Sequence, residues 1–233
     1  MKRVLIFTAN LLLVISACFG QQTQEKIKKL KFCGYRYTDS ALLRNHFEQQ
    51  LAFLQIKDGD TIVDIGSSSG ALIGCINVIA DFKNAHFILV DIDSDCLNSS
   101  KVNNMIAYYE NIKGRSFNNS IGFVVNTTDS LWLPLNSKRK LWIFNALHEI
   151  PDKSGMIRQM SAVLQTGGEI IIAELMATEK RKIHQGCKKP LMTGEEIKKL
   201  MQDAGFVFKD MAANTIPVKK IINPYCLFRF VKL

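Results

Sequence analysis

Apolar positions along this chain change rhythm repeatedly, and the changes mark out its elements. Thr38-Asp39 supply helix-capping side chains ahead of Leu43, Phe47, Leu51 and Leu54, whose spacings of four, four and three place them on one helical face. After the turn Lys57-Asp58-Gly59-Asp60 the pattern alternates. Short apolar runs at 61–65, 87–90, 121–125, 141–144 and 169–173 predict buried strands, and the segments 71–80, 95–112 and 153–164 predict helices between them. Thr166-Gly167-Gly168 is a turn into the fifth strand. Short buried strands that alternate with helices pair in parallel, so an open sheet covered on both faces follows. The tail departs from this rhythm. Thr193-Gly194-Glu195-Glu196 is a capping box opening a helix to Asp203, closed by Gly205. Beyond it, 206–211 and 225–231 predict two strands joined by a loop with Pro217 and Pro224, too short for a helical crossover, and therefore an antiparallel pair at one sheet edge.

Composition narrows the class. In 233 residues, 47% are hydrophobic and 22% charged, proportions that exclude a disordered chain, a collagen-like repeat and a disulfide-dense miniature scaffold. Residues 1–20 stand apart: Lys2-Arg3 precede a mostly apolar stretch from Val4 to Ala17, followed by Cys18 and Gly20, the layout of a secretory signal. Ile15-Ser16-Ala17-Cys18 resembles a bacterial lipoprotein box, with Cys18 lipidated, whereas Cys18-Phe19-Gly20 offers cleavage before Gln21. An uncleaved anchor or the start of an N-terminal helix is the remaining reading. The expected organisation is a signal at 1–20, a linker and helix at 21–57, and one domain at 58–233. Without the leader's two basic residues the net charge falls from +9 to 9 − 2 = +7. Basic pairs recur in several different elements, which describes a dispersed lysine surface; without interleaved aromatics, no nucleic-acid partner is expected.

Cys33, Cys75, Cys96, Cys187 and Cys226 are scattered, without CxxC spacing, and an odd five do not make a secreted framework. Cys75 and Cys96 lie in apolar segments and are expected in the core. No Cys or His pair suggests ligand spacing, so no metal is expected. Trp132 and Trp142 are expected in the core or as pocket wall.

The sharpest chemical signal is Val63-Asp64-Ile65-Gly66-Ser67-Ser68-Ser69-Gly70, set between a predicted strand and a predicted helix. Small residues let the backbone turn tightly and a ligand approach the helix N-terminus. Asp91, 21 residues beyond Gly70, closes the next strand, where an acid would accept both hydroxyls of a ribose. Asp64 would repel a bound pyrophosphate, and the loop lacks the G-x-G-x-x-G spacing, so a cationic nucleoside suits the site better than a dinucleotide.

With these residues in place, the chain from about Asp58 onward resembles the class I S-adenosylmethionine-dependent methyltransferases. The resemblance rests on VDIGSSSG, ILVDID, TTDSLWLPL, LWIFNALHEIPD, QTGGEIIIAE and TGEEIKKLMQDAGF. It implies an α/β fold: a Rossmann-like, doubly wound, mostly parallel seven-stranded sheet with an antiparallel C-terminal edge pair. It implies S-adenosylmethionine as cofactor. Gly66, Ser67, Ser68 and Gly70 would then shape the methionine end, with Asp64 facing its amino group. Asp91 would hold the ribose, Ile92 would pack on adenine, and Asp129 with neighbouring Ser130 would meet the adenine amino group. The family usually has Gly where this chain has Ser68, and often an acid where it has Leu141.

Asn145, His148 and Glu149 follow the fourth strand at its carboxyl end and are the catalytic candidates, His148 as a base near neutral pH. The segment Lys180 to Lys189, with His184, follows the fifth strand and could line a substrate lid. The function expected is methyl transfer to a small acceptor, in the periplasm or at a membrane through Cys18 if the leader is used, and otherwise in the cytoplasm. Two alternatives stand beside it: an exported binding protein on a decayed methyltransferase fold, and a nicotinamide-dependent oxidoreductase.

Overall fold

The computed structural model describes residues 27, 29–213 and 223–233. The proposed leader, including Cys18, and the Pro217 loop lie outside the described residues. Five helices, α1 (Ser40–Leu54), α2 (Ala71–Ile79), α3 (Ser99–Lys113), α4 (Lys153–Val163) and α5 (Gly194–Asp203), accompany seven strands among them. The strands are β1 (Thr61–Ile65), β2 (His86–Asp91), β3 (Ser120–Val125), β4 (Lys138–Phe144), β5 (Leu164–Leu175), β6 (Phe206–Ala213) and β7 (Tyr225–Lys232).

They form one sheet in the order β3-β2-β1-β4-β5-β7-β6. β1 to β5 pair in parallel, and β7 runs antiparallel to both β5 and β6, as the pattern of the tail predicts. Order reverses between β1 and β4, each of which pairs with the other, and a crevice opens at such a switch point beyond the strands' carboxyl ends.

Alternation along the strands builds two cores. Val63, Leu141, Ile143, Ile170 and Ile172 face α4 and α5, packing with Ile157, Met160, Ile197 and Met201. Ile62, Leu89, Trp142 and Ile171 face the opposite side with Ile73 and Ile76 of α2 and Val102 of α3. Leu43 and Phe47 of α1 extend that second side against Ala71, Cys75 and Tyr109. Asp64, two residues beyond Ile62, lies on this side at the strand's ligand end.

The predicted caps form: Asp39 Oδ1 accepts from Leu42 N at 2.8 Å, and Thr193 and Glu196 complete a reciprocal capping box. Helix α3 starts later than the pattern suggests. Asp93 Oδ1 accepts from Asp95 N and Cys96 N, a local turn that competes with helix, and Asn98 becomes the cap. The expectation for Cys96 is corrected: it is bonded to Cys33 in a disulfide and is not a core thiol. Cys75 is buried, as expected. Trp142 is fully buried, but Trp132 is 64% exposed, because its neighbours Leu131 and Leu133 turn into the core and leave it facing outward. No helix of the described residues is long and apolar enough to cross a membrane.

Candidate active site

The β1–α2 loop carries the crevice floor. Gly66 and Gly70 have φ of +75° and +81°, and Ser68 sits at +52°, where the related family usually has glycine. A non-glycine residue in this region carries strain of about 1–2 kcal/mol. Ser68 is held there by its own backbone N–H, which donates to Asp91 Oδ2 at 2.7 Å. Asp91 Oδ1 accepts from Asp93 N at 3.0 Å, so both carboxylate oxygens are fixed while each keeps acceptor capacity toward the crevice. The glycines are required by packing as well. A Cβ on Gly70 would fall 2.5 Å from Leu89 Cδ1, and one on Gly66 would strike Ala146. Gly70 thus serves the fit of the loop on β2 and α3 and does not line either cavity described below.

Two cavities flank this loop. One, of about 270 Å³, is lined by Asp64, Gly66, Ser67 and Ser68 together with Tyr35, Tyr37, Gln50, Phe144, Asn145 and Tyr225. The other, of about 420 Å³, is lined by Asp91, Ile92, Asn126, Thr127, Thr128, Asn145 and Glu149, and also reaches Gly66 and Ser68. They meet at Gly66, Ser68 and Asn145. Asn145 adopts φ +52°, a conformation asparagine tolerates better than most residues, and its Oδ1 is buried without a hydrogen-bond partner. Asp64 is only 2% exposed. Burial, with the nearby Asp91 charge adding to it, pushes its carboxyl from 3.8 up to about 8. At neutral pH it is mostly protonated until a cation arrives.

The residues before α1 cover the smaller cavity. Cys33 N donates to Ser69 Oγ at 2.9 Å, and Ser69 Oγ donates onward to Cys96 O at 2.7 Å. With the Cys33–Cys96 disulfide, these bonds clamp the strap beside the loop. Tyr108 and Tyr109 hydroxyls donate to Tyr37 O and Tyr35 O, each at 2.8 Å.

Most sequence-predicted cofactor residues therefore converge: Asp64, Gly66, Ser67, Ser68, Asp91 and Ile92 all face the cavities. Asp129 and Ser130 do not. Asp129 is exposed and accepts from Thr127 Oγ1 at 2.7 Å in a turn closed by the Thr127–Ser130 bridge. Thr127, Thr128 and Asn126 take that wall instead. Asn126 was not singled out by sequence; its Oδ1 accepts from Trp132 N at 3.1 Å, and its Nδ2 is buried and unpartnered. Its signal was its place just after β3, at the ligand end. Asn145 lines both cavities and Glu149 the larger one, whereas His148, 3% exposed, lines neither. The strap residues Tyr35 and Tyr37 also escaped notice, because their role depends on a disulfide that cysteine spacing did not disclose. Donor atoms that cysteine and histidine spacing did not bring together also lie close in space: those of His148, Glu149, His184 and Cys187 are within 4.8 Å of one another.

Comparison with known proteins agrees with this layout. No curated protein sequence matches the chain. A S-adenosylmethionine-dependent methyltransferase from Aquifex aeolicus is similar in fold, with a TM-score of 0.55 at 16% identity over 89% of this chain and 97% of its own. A second, from Methanosarcina mazei, has a TM-score of 0.56 at 16% identity over 78% and 97% of the two chains. Phosphoethanolamine N-methyltransferase 2 of Haemonchus contortus, in complex with phosphomonomethylethanolamine and S-adenosylhomocysteine, has a TM-score of 0.57 at 14% identity over 80% of this chain and 52% of its own. Residues 56–205, well over half of the chain, match the methyltransferase-domain family, and the chain belongs to that family.

Proposed function

We propose that the protein transfers a methyl group from S-adenosylmethionine to a small acceptor outside the cytoplasm. The observation that carries this reading is the pair of joined cavities, with buried Asp64 in one and Asp91, at the end of β2, in the other. A ligand with an ammonium-bearing end and a nucleoside end suits them: buried Asp64 answers the cation, Asp91 the ribose hydroxyls, Ile92 the adenine face and Asn126 Nδ2 a ring acceptor. A pyrophosphate beside Asp64 would meet like charge, which disfavours the oxidoreductase alternative.

The cofactor supplies an electrophilic methyl group on a sulfonium. The protein's part is alignment and exclusion of water. Tyr35, Tyr37, Phe47, Phe144 and Tyr225 wall the smaller cavity. Asn145, at the junction, offers Oδ1 as an acceptor that can orient an N–H or O–H of the incoming acceptor. Glu149, side chain 53% exposed, lies at the edge of the larger cavity. A small acceptor is favoured because the strap narrows access, and the Haemonchus relative was captured with a small amine phosphate.

Export is supported by the leader's composition together with the Cys33–Cys96 disulfide, a bond that persists in oxidising compartments and is rare in the cytosol. In that setting Cys18 would provide membrane attachment if lipidated. Mass spectrometry of the mature N-terminus distinguishes lipidated Cys18, free Gln21 and retained Met1. The disulfide also favours a second reading, an exported binding protein, since S-adenosylmethionine is made in the cytoplasm. Titration calorimetry with S-adenosylhomocysteine separates the alternatives. Micromolar affinity is expected, with Asp91→Ala weakening it by about tenfold or more, the worth of hydrogen bonds to a charged group. Unchanged affinity in Asp91→Ala overturns the ribose assignment, and binding without turnover across amine, thiol and hydroxyl acceptors favours the second reading.

A further inference from the structure

At the carboxyl ends of β4 and β5, beside the cavities, a group of side chains is arranged in a way that methyl transfer does not use. His148 lies in the 3-10 turn Leu147–Glu149, and Glu174 lies in β5 with 3% exposure. Glu174 Oε2 is 2.8 Å from His148 Nδ1, and Glu174 Oε1 accepts from His148 N at 3.3 Å. A carboxylate at Nδ1 fixes the proton there, so Nε2 presents its lone pair. That Nε2 is buried and has no hydrogen-bond partner. Two further groups, on the segment between β5 and α5, lie close to the ring. The His184 ring stands 4.6 Å from the His148 ring, centroid to centroid, and His184 Nδ1 is 3.1 Å from Cys187 Sγ. Glu149 Oε1 is 3.7 Å from His148 Nε2.

The donors of His148, Glu149, His184 and Cys187 all lie within 4.8 Å of one another; a tetrahedron with metal bonds of about 2.0–2.3 Å has edges of about 3.3–3.8 Å, so side-chain movements of about 1 Å would close the set on an ion. Two imidazoles, a thiolate and a carboxylate are a borderline-soft set that suits zinc better than magnesium or calcium. The Glu174–His148 pair is the outer carboxylate that typically orients a ligating histidine.

We propose that the protein binds a zinc-type divalent cation through His148 Nε2, His184 Nδ1, Cys187 Sγ and the Glu149 carboxylate, with Glu174 as the positioning residue. Four protein donors make this a closed, structural site. Its effect is to pin the segment 176–193 onto the ends of β4 and β5. That segment is also held by buried Met176 and Leu191, by backbone bonds such as Ala177 N to Met192 O at 2.8 Å, by the short bridges Thr178–Arg181 and Ile183–Pro190, and by Asn223 Nδ2, which donates to Met176 O and Arg181 O at 2.6 and 3.1 Å. The binding of the metal does not depend on the methyl-donor assignment.

The full chain, its disulfide intact and stripped with chelator under anaerobic conditions without reductant, is titrated with zinc against a chromophoric competitor and separately with cobalt. Binding of one equivalent with submicromolar affinity for zinc is expected. Bound cobalt should show a thiolate-to-metal charge-transfer band in the near ultraviolet, lost in Cys187→Ser, while His184→Ala weakens zinc by at least about a hundredfold. Glu174→Gln, which leaves every ligand in place, should weaken zinc by roughly 10- to 100-fold. Metal should also raise the melting temperature of the wild-type chain and leave that of Cys187→Ser unchanged, with the two metal-free proteins melting alike as a check on folding. No binding below 0.1 mM on the order of magnitude, or binding and cobalt spectra that are the same in wild type and Cys187→Ser, overturns the proposal.

Discussion

Asp64 makes the protein's stability fall as pH rises, in a window where most proteins change little. Its carboxyl is raised from 3.8 to about 8 because burial disfavours the charged form and Asp91 repels it. The unfolded chain therefore releases this proton near pH 4, while the folded chain retains it to about pH 8. A raised value means that the contribution is fully present below the unfolded value and is lost as pH climbs through the folded one. Each pH unit between the two costs about 1.4 kcal/mol, so from pH 5 to pH 8 the loss is on the order of 3 to 4 kcal/mol. That is a large part of a typical total stability of about 5–15 kcal/mol.

Asp64→Asn keeps the shape and removes the titration. Urea unfolding of both proteins, followed by circular dichroism at half-unit steps from pH 5 to pH 8, isolates the residue by difference, since every other titrating group is common to both. The wild type should lose about 3 to 4 kcal/mol relative to the variant across this range, with the slope easing above pH 8. Curves that stay parallel within about 0.5 kcal/mol would show that Asp64 ionises normally, through water reaching it, and the argument for a cation-seeking acid would fail with it. S-adenosylhomocysteine should in turn release a proton on binding at pH 7, seen as a buffer-dependent enthalpy that disappears in the variant.

Cys33→Ser removes a link between residues 63 apart, worth about 4 kcal/mol on chain-entropy grounds, and should weaken S-adenosylhomocysteine as the strap frees Tyr35 and Tyr37; equal melting temperatures with and without reductant would contradict it. Gly70→Ala combines a φ of +81° with a Cβ 2.5 Å from Leu89 Cδ1 and should cost about 2–4 kcal/mol in denaturant unfolding, whereas Gly59→Ala, with no atom within 4 Å, should cost only the backbone strain. Asn145→Gly accepts the φ of +52° and should leave the melting temperature within a few degrees while lowering turnover by about tenfold or more; loss of the fold instead would make Asn145 a structural residue.

The fold was legible because strands buried on both faces and capped helices write themselves into short-range patterns. β1 matches its predicted span at both ends, and the others shift by a few residues where a turn or an edge pair extends them. Asp64 and Asp91 were legible for a similar reason, since each lies at a strand end fixed by its own run of apolar residues. Asp129 was not, because a loop with no periodicity lets Asp129 turn out to Thr127 while Asn126 faces in. The disulfide and the His-Glu-His-Cys cluster were hidden by distance along the chain. Cys33 and Cys96 are 63 residues apart, and His148 meets His184 only because β5 carries the chain back beside β4. His184 and Cys187 did stand three apart in the sequence, a spacing that gains meaning only when His148 is seen to face them.

These two hidden features have the same mechanical logic. The crevice beyond the strand ends is bordered by irregular backbone on both sides, residues 30–39 before α1 and 176–193 after β5, and each reaches the core through a few side chains, such as Phe32 in the first and Met176 and Leu191 in the second. Ordering such a segment costs about 1–2 kcal/mol per residue in backbone entropy alone, more than scattered surface hydrogen bonds recover. The first segment is tied by a covalent bond to the turn after β2. The second converges on a ligand cluster rooted in β4 and β5. A thiol such as Cys187 is exposed to oxidation in the compartment where the Cys33–Cys96 bond survives, and a bound metal would keep it as a thiolate. The proposed metal and the disulfide are thus complementary: each would hold one wall of the site by a bond that does not depend on a large apolar core, and removing either should loosen only its own wall.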